Sequence, residues 1–518
     1  MKKIRLCCLT IMAAVNVMNA WAGGLLTNTN QNIEFLRNPA RDAAIGIDGV
    51  YSNPAGVLFL GEGFHLSLNI QNAHQTRTVS SWSDLYKLGI NNNNSNFKEF
   101  EGEADAPIIP SIQAAYNKGK WSYQFGFAIT GGGGKCTFDY GIPTFESSIA
   151  MISSQLGAFG ATGYDMNAFM EGRQYYFGFT AGAAYKVNEN LSVYGGLRLL
   201  YGNASYKAKV DNIKVNTTNG AVAFDKFLDA ANQTVEGGLA QITEKLPLVE
   251  GGIAQVQQGI AQYEAAGVPV LEELTGKLAE LQATRQQLVA TQETLKGAEG
   301  SLNQLEPYRE GVNLMCDQTA WGVAPIIGID YKLGKLNLAA KYEFKTRMRM
   351  KNKSTVKEAS LISAVNKFKD GEKVDEDSPA LLTIGAQYEI LPSLRVMAGW
   401  QHYFDVDTKQ YTKDMLGDSN EYLFGAEYDI CKKLQISAGM QRTAYDLKDA
   451  GMNDISFNVS SYSYGFGIGY NVTDKIQVNA AWFQTLYDDY DKAPDAIGVK
   501  NSFTRTNRVI GLGVNFTL

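Results

Sequence analysis

The chain has 518 residues, with 47 Lys and Arg against 53 Asp and Glu, a formal charge of −6, and only 3 His. That balance excludes the basic surface of a nucleic-acid binder, and beyond the first residues no apolar run is long enough to cross a membrane as a helix. The composition of 52 Gly, 27 Tyr and 24 Phe beside 12 Pro points to many closely packed strands.

Lys2, Lys3 and Arg5 precede an apolar run from Leu6 to Val17, and Ala20-Trp21-Ala22 stands before Gly23-Gly24. This is the pattern of a secretory signal peptide over residues 1–22, with a run too short for a membrane anchor. The mature chain is expected to start at Gly23, and losing three cations takes its charge to −9. Cys7 and Cys8 leave with the signal. Cys136, Cys316 and Cys431 remain, an odd set without metal-ligand spacing. No metal and no cofactor is expected.

Residues 23–62 follow. The stretch "RNPARDAAIGIDGVYSNPAGVLFLGEG" carries Asn38-Pro39-Ala40 and again Asn53-Pro54-Ala55. Each Pro removes a backbone donor and steers the preceding Asn away from helix. The stretch is apolar but has neither a period of 2 nor one of 3.6. Leu25, Leu26, Ile33, Phe35 and Leu36 add apolar surface ahead of it.

From residue 63 the pattern is β. In "SYSYGFGIGYNV", Tyr462, Tyr464, Phe466, Ile468 and Tyr470 alternate with Ser and Gly, and "RVIGLGVNFTL" at the C-terminus does the same. Tight turns stand at Asn117-Lys118-Gly119-Lys120, Asn188-Glu189-Asn190, Leu333-Gly334-Lys335, Pro392-Ser393, Cys431-Lys432-Lys433 and Thr473-Asp474. Long polar connections lie near 78–107, 131–172, 208–318, 351–379, 408–420, 446–459 and 488–506. Short turns on one side and long loops on the other are the signature of an outer-membrane barrel. Six turns and seven loops give an all-β fold, a 14-stranded antiparallel transmembrane β-barrel over 63–518. Two soluble β domains would alternate too, but without such glycine-rich opposite faces. Phe516 and the apolar last residue Leu518 suit the terminal signal read by the barrel-assembly machinery.

Residues 224–307, in the third long loop, read differently. Val235, Leu239, Ile242, Leu246, Val249, Ile253, Val256, Ile260 and Tyr263 form a heptad seam. "VEGGLAQ" at 235–241 returns as "VEGGIAQ" at 249–255. A second seam runs from Leu274 through Leu281, Leu288 and Leu295 to Leu302, beyond the turn "AAGVPV". The two predict an antiparallel helical hairpin on the extracellular side, with arms of about 45 Å at 1.5 Å per residue. Pro247 and the Gly pairs should kink or loosen the first arm. The hairpin is either a docking arm for a surface partner or a rigid spacer over the pore mouth.

In "LNLAAKYEFKTRMRMK", strict alternation places Leu338, Tyr342, Phe344, Met348 and Met350 toward lipid, and Lys341, Lys345, Arg347 and Arg349 in the lumen. Charges facing mid-membrane lipid cost a few kcal/mol each, which favours this orientation. The cations suit the carboxylate headgroup of a fatty acid. Alternatively they pair with lumen acids such as Asp405, Asp407, Glu427 and Asp429. "FESSIAMISSQLGAFG" and "EASLISAVNKF" read as short apolar helices in outer loops, able to collect a hydrophobic ligand or simply to plug the top. Cys136 and Cys316 both fall in outer loops of an exported chain, so a disulfide between them is expected. His65, His74 and His402 are scattered and stand near no nucleophile motif, so no enzyme is expected.

Signal, NPA segment and fourteen strands together resemble the FadL/TodX family of outer-membrane transporters for long-chain fatty acids and hydrophobic compounds. The motif that carries the resemblance is "AAIGIDGVYSNPAG", with Asp48, Asn53, Pro54, Ala55 and Gly56. Asn38-Pro39 upstream is less typical, and the helical insertion departs from the pattern. The resemblance implies that 23–62 is a hatch folded inside the barrel. It implies uptake of hydrophobic compounds, long-chain fatty acids foremost, across the outer membrane of a Gram-negative bacterium. The steps would be binding in the lumen, hatch movement and lateral diffusion into outer-membrane lipid through a kink in the third strand. Gly126 and Gly131 are the candidates for that kink. The other readings are a passive porin and an adhesin or assembly protein with the helical hairpin as its docking arm.

Overall fold

The structure, a computed structural model, describes residues 30–357, 363–410, 412–455 and 457–518. The expected signal peptide, the first residues of the hatch and part of the second apolar loop helix lie outside the described residues.

Fourteen strands close into one antiparallel barrel. They are β1 (Gly63–Trp82), β2 (Phe97–Lys118), β3 (Trp121–Phe138), β4 (Gly163–Lys186), β5 (Leu191–Thr217) and β6 (Val312–Leu333). Then come β7, in two pieces (Leu336–Glu343 and Arg349–Ser354), β8 (Leu381–Leu391), β9 (Leu394–Tyr403) and β10 (Ser419–Cys431). The last four are β11 (Leu434–Ala444), β12 (Ser461–Thr473), β13 (Ile476–Tyr487) and β14 (Lys500–Thr517). β1 pairs with β14 from His65↔Thr517 to Trp82↔Lys500, which closes the wall. All six tight turns fall between strands as the sequence predicts. The long loops are shorter than expected, because strands run on into them.

The wall is uneven in height. β1 to β6 have 18 to 27 residues, whereas β8 to β13 have 10 to 13. A tilted strand needs only about 9–11 residues to span a bilayer, so the first six rise well above it. Outside, the wall is apolar: Leu68, Leu197, Val323, Phe424, Phe466 and Leu512 are all exposed. An aromatic row, Phe177–Tyr201–Trp321, marks its outer edge, with ring centroids 6.2 and 4.6 Å apart. Such a girdle is what the membrane interface selects.

β7 corrects one expectation. Its lower piece pairs Glu343 with Ile326 and its upper piece pairs Lys351 with Thr319. Eight steps on β7 therefore match seven on β6. One extra residue flips every side chain beyond it to the other face. Met348 and Met350 turn inward and are fully buried against Tyr176, Leu200 and Ala320. Arg347 and Arg349 turn outward and are exposed, not in the lumen.

The expected disulfide is also corrected. Cys136 and Cys316 are both free and lie in strands, not loops. Cys136 pairs with Gly172, Gly172 with Tyr206, and Tyr206 with Cys316. Three interstrand spacings of about 4.8 Å separate the two thiols along the wall, far beyond the reach of a disulfide. They pack instead with Phe100, Phe138 and Phe368 in one apolar cluster.

Two helices form the extracellular arm. α1 (Phe224–Ala265) and α2 (Glu272–Asn303) run antiparallel around Gly267, whose φ is +67°. The helix is continuous through Pro247. At 1.5 Å per residue α1 is about 63 Å long and α2 about 48 Å, longer than expected. The repeated glycines have a packing role. A Cβ at Gly238 would lie 2.8 Å from Leu295, and one at Gly252 would lie 3.4 Å from Leu281. Each repeat thus seats one leucine of the opposite arm, and Arg285–Glu250 at 2.8 Å links the same faces. Replacing Gly238 and Gly252 together with Leu overpacks both seats, at about 1–3 kcal/mol each. The arms should separate, seen as faster proteolysis of 224–307, while the heat resistance of the barrel is unchanged. Equal proteolysis would remove the glycines from the register of the arm.

Candidate ligand passage

The hatch fills the lumen. A single helical turn, Ile33–Arg37, is capped by Asn32, whose side chain accepts from Glu34 N at 2.8 Å. Two tight 3-10 turns follow, Ile47–Val50 and Gly56–Leu60. The two Asn-Pro steps act alike. Asn38 Oδ1 accepts from Ala40 N at 3.1 Å, and Asn53 Oδ1 accepts from Gly56 N at 3.2 Å. Each Asn holds the backbone just beyond its Pro, so φ and the next turn are both fixed. The free carbonyls of the second motif are then bound by the wall. Gln124 donates to Pro54 O at 2.7 Å and Ser192 donates to Ala55 O at 2.6 Å. Asn53 donates to Asp330 at 2.6 Å.

The wall carries glycine where the hatch presses on it. A Cβ at Gly425 would overlap the Asn38 side chain, and one at Gly399 would overlap Asp42. At Gly467 it would lie 2.5 Å from Arg37 Cγ, and at Gly385 2.6 Å from Ala43 N. The small face of the alternating strands is therefore a mould of the hatch.

Charge pins the two together. Arg41 meets Asp48 at 2.7 Å and also Glu427 on β10, all three deeply buried. Glu427 is shared with Arg395 at 3.4 Å, which also holds Asp429 at 2.9 Å. Arg37, fully buried, donates to Ser437 at 2.7 Å and to Asn479 and Gln435. The lumen acids Glu427 and Asp429 thus pair with hatch and β9 arginines, not with the β7 cations. Asp405 accepts from Ser419 N at 3.1 Å, and Lys345 donates to the backbone carbonyl of Asp407 at 2.6 Å.

Of the four β7 cations only Lys341 faces the lumen deeply. It is buried and donates to Tyr51 O of the hatch at 2.8 Å. Next to it Arg198 is paired with Glu343 and lies over the Tyr51 ring, 4.9 Å from its centroid. Above the hatch these groups line a cavity with Phe35, Asp42, Thr130, Leu200, Gln401, Tyr403 and Glu421. Arg37, Arg41 and Arg198 escaped sequence reading. Arg198 was visible as a lumen-facing position of "YGGLRLLYG"; the hatch arginines follow no period.

The ladder of the wall is interrupted beside this cavity. β2 and β3 pair from Lys118↔Trp121 up to Ile112↔Phe127, and again at Ala104↔Cys136. Between those points the ladder is missing. Pro107 and Pro110 lie in the β2 margin, and Ile108 there is 70 % exposed. On the β3 margin the register with β4 slips at Gly131 and again before Gly134. Thr130, on this margin, lines the lumen cavity. The break thus falls at Gly131. Gly126 sits in regular ladder, between Gln113 and Thr180, where its Cβ would be 3.1 Å from Val50 of the hatch.

A second pocket lies at the outer mouth, enclosing about 1760 Å³ of space open to solvent. Its lining is mostly apolar: Ile149, Met151 and Ile152 of the loop helix Pro143–Gln155, then Val210, Ile213, Leu314 and Phe368. Leu305 and Tyr308, from the root of the arm, form part of its wall. Asp454 accepts from Thr144 N and Oγ1 at 2.6 and 2.9 Å, tying another loop to the start of the helix. Burial pushes this carboxyl above its usual range, while the two bonds from Thr144 act against the rise. Among the described residues no cluster of metal-binding side chains occurs.

Comparison with solved structures places this geometry. A FadL homologue of Pseudomonas aeruginosa superposes with a TM-score of 0.58 at 11% identity, over 96% of this chain and 100% of that one. The fold is that of the FadL/TodX channels. The toluene transporter TodX of P. putida superposes at 0.50 with 13% identity, over 91% of this chain and 95% of that one. No protein-family model and no curated protein sequence matches the chain.

Arg41→Ala tests the pinning. It leaves Asp48 buried without a counter-charge, which costs about 3–5 kcal/mol when a buried pair is broken. The barrel should stay folded on a semi-native gel while single channels in planar bilayers switch between closed and large open levels. A variant as quiet as the parent would show that Arg41 does not seat the hatch.

Proposed function

We propose that the chain carries hydrophobic compounds across the outer membrane and releases them sideways into lipid. The observation that carries this reading is the break between β2 and β3. It adjoins the lumen cavity through Thr130 and faces lipid through Ile108. A greasy solute would first settle in the outer pocket, then pass to the cavity above the hatch. Leaving through the wall spares it roughly 0.8 kcal/mol for each CH₂ kept from water. Fatty acids fit the cavity better than neutral hydrocarbons, because Lys341 and Arg198 stand beside Phe35, Leu200 and Tyr403. A carboxylate that takes Lys341 competes with Tyr51 O for the same ammonium. Binding and hatch release are then one event. TodX, whose fold is shared, is a toluene transporter, which supports the broader class of solute.

Two variants test the reading. Pro107→Thr with Pro110→Thr restores two backbone donors and lets the ladder close. Uptake of a long-chain fatty acid by whole cells should fall several-fold at equal surface expression; unchanged uptake would reject the lateral route. Lys341→Met keeps the length of the side chain but removes the ammonium. It should cut fatty acid uptake by about tenfold, the scale of one charge-assisted hydrogen bond, and leave toluene uptake intact. Equal loss of both would place Lys341 in the hatch alone.

A second reading concerns the arm. Its root is packed: Phe224, Leu228, Val235 and Leu302 are buried with Ile149 and Ile152 of the second loop and Tyr164 at the start of β4. A partner held by the arm would act directly on the wall of the outer pocket.

A further inference from the structure

The one-residue slip in β7 leaves a column of cations on the outside of the barrel. Arg347, Arg349, Lys351 and Lys353 alternate with the buried Met348, Met350 and Asn352 and are exposed. Lys351 stands opposite Thr319, one pleat beyond Trp321 of the aromatic girdle, and Lys353 stands opposite Asp317, one pleat further out. On the other side Lys373 lies directly opposite Lys351, and both are exposed. Like charges placed opposite each other on a ladder repel. Among the described residues no acid lies within 4.0 Å of the charged group of Arg347, Lys351, Lys353 or Lys373. The nearby acids are Asp317, which stands opposite Lys353 on the ladder, Asp375 and Asp370. Asp375 meets Arg349 at 3.5 Å and Lys409 at 4.0 Å, and Asp370 meets Lys357 at 2.8 Å. Below the column the same face is greasy, with Trp321, Val323 and Phe344 exposed by 60 %, 52 % and 42 %.

Apolar wall below, aromatic row at the boundary and an excess of cations over acids above have the layout of a lipid seat. We infer that Arg349, Lys351 and Lys373 bind the phosphate groups of an outer-leaflet lipid whose acyl chains lie on the β6–β7 wall. The opposed lysines explain themselves in this arrangement, since a phosphate between them turns repulsion into two contacts. The arginine adds a fork suited to a phosphate oxygen pair. The site is independent of the passage: none of its residues lines the lumen cavity or the outer pocket.

The test uses the full-length protein in detergent, with diphosphoryl lipid A as probe. The parent should retain it, and the triple variant Arg349→Gln, Lys351→Gln, Lys373→Gln should bind about a hundredfold more weakly. Lipid A stripped of both phosphates should bind the parent as weakly as the variant binds the intact lipid. Millimolar inorganic phosphate should not displace it, because the acyl chains supply part of the affinity. Equal binding by the triple variant, or equal binding of the dephosphorylated lipid, overturns the proposal. Displacement by inorganic phosphate also overturns it, reassigning the cations to a free anion. All three positions are exposed, so the variant should fold; Arg349→Lys with Lys351→Arg and Lys373→Arg should restore binding.

Discussion

Inside a bilayer every backbone donor and acceptor must find its partner within the protein, and the closed ladder of fourteen strands follows from that alone. The demand is relaxed between β2 and β3, where the ladder is missing from Ala104 to Ile112. The relaxation is possible there because prolines remove donors on one margin and glycines bend the other. Filling the lumen is the corresponding constraint on the inside. The hatch is too irregular to pair with a sheet, so it is held by side chains and by close contact. Buried Arg41 and Arg37 supply the charge and hydrogen bonds, and the glycines of β8 to β12 supply the room. The two parts are complementary: without the hatch, its partners Glu427 and Asn479 would face an empty pore.

The tall half of the wall gives the molecule its second level. β4, β5 and β6 run past the membrane and carry the loop helix, the root of the arm and the outer pocket on one scaffold. Ile149 and Ile152 sit at the seam, in contact with the arm root on one side and with the pocket on the other. The wall of the outer pocket and the support of the arm are therefore built from the same residues. The short strands on the opposite side reach this level through loops such as the one holding Asp454.

Strand number, turns, sidedness and the helical hairpin were legible in the sequence because each is periodic. Alternation over "SYSYGFGIGYNV" or a heptad seam survives any tertiary context. The segment was legible as apolar with stiff turns, and Asp48, Asn53, Pro54, Ala55 and Gly56 each take part in a hydrogen bond or ion pair. What failed was whatever depends on counting through an interruption. Strict alternation was carried past Phe344, and the bulge there exchanged the faces of Arg347 and Met348. The disulfide failed for a related reason. A loop assignment ignored that strands extend beyond the membrane, so two thiols placed in outer loops are fixed three strands apart, on β3 and β6. Arg37 and Arg41 were missed because an irregular segment announces no inward face; only the glycines opposite them, read as a cast, betray their volume.

The slip in β7 has a consequence for how such a barrel diversifies. Deleting a single codon between Phe344 and Met348 would restore simple alternation across the whole strand. Arg347, Arg349, Lys351 and Lys353 would keep facing outward and the two methionines inward, because the path from Glu343 to Lys351 would then take the same seven steps as that from Ile326 to Thr319. One frame-preserving deletion would thus erase the bulge while leaving the charged outer column, the strand number and the topology untouched.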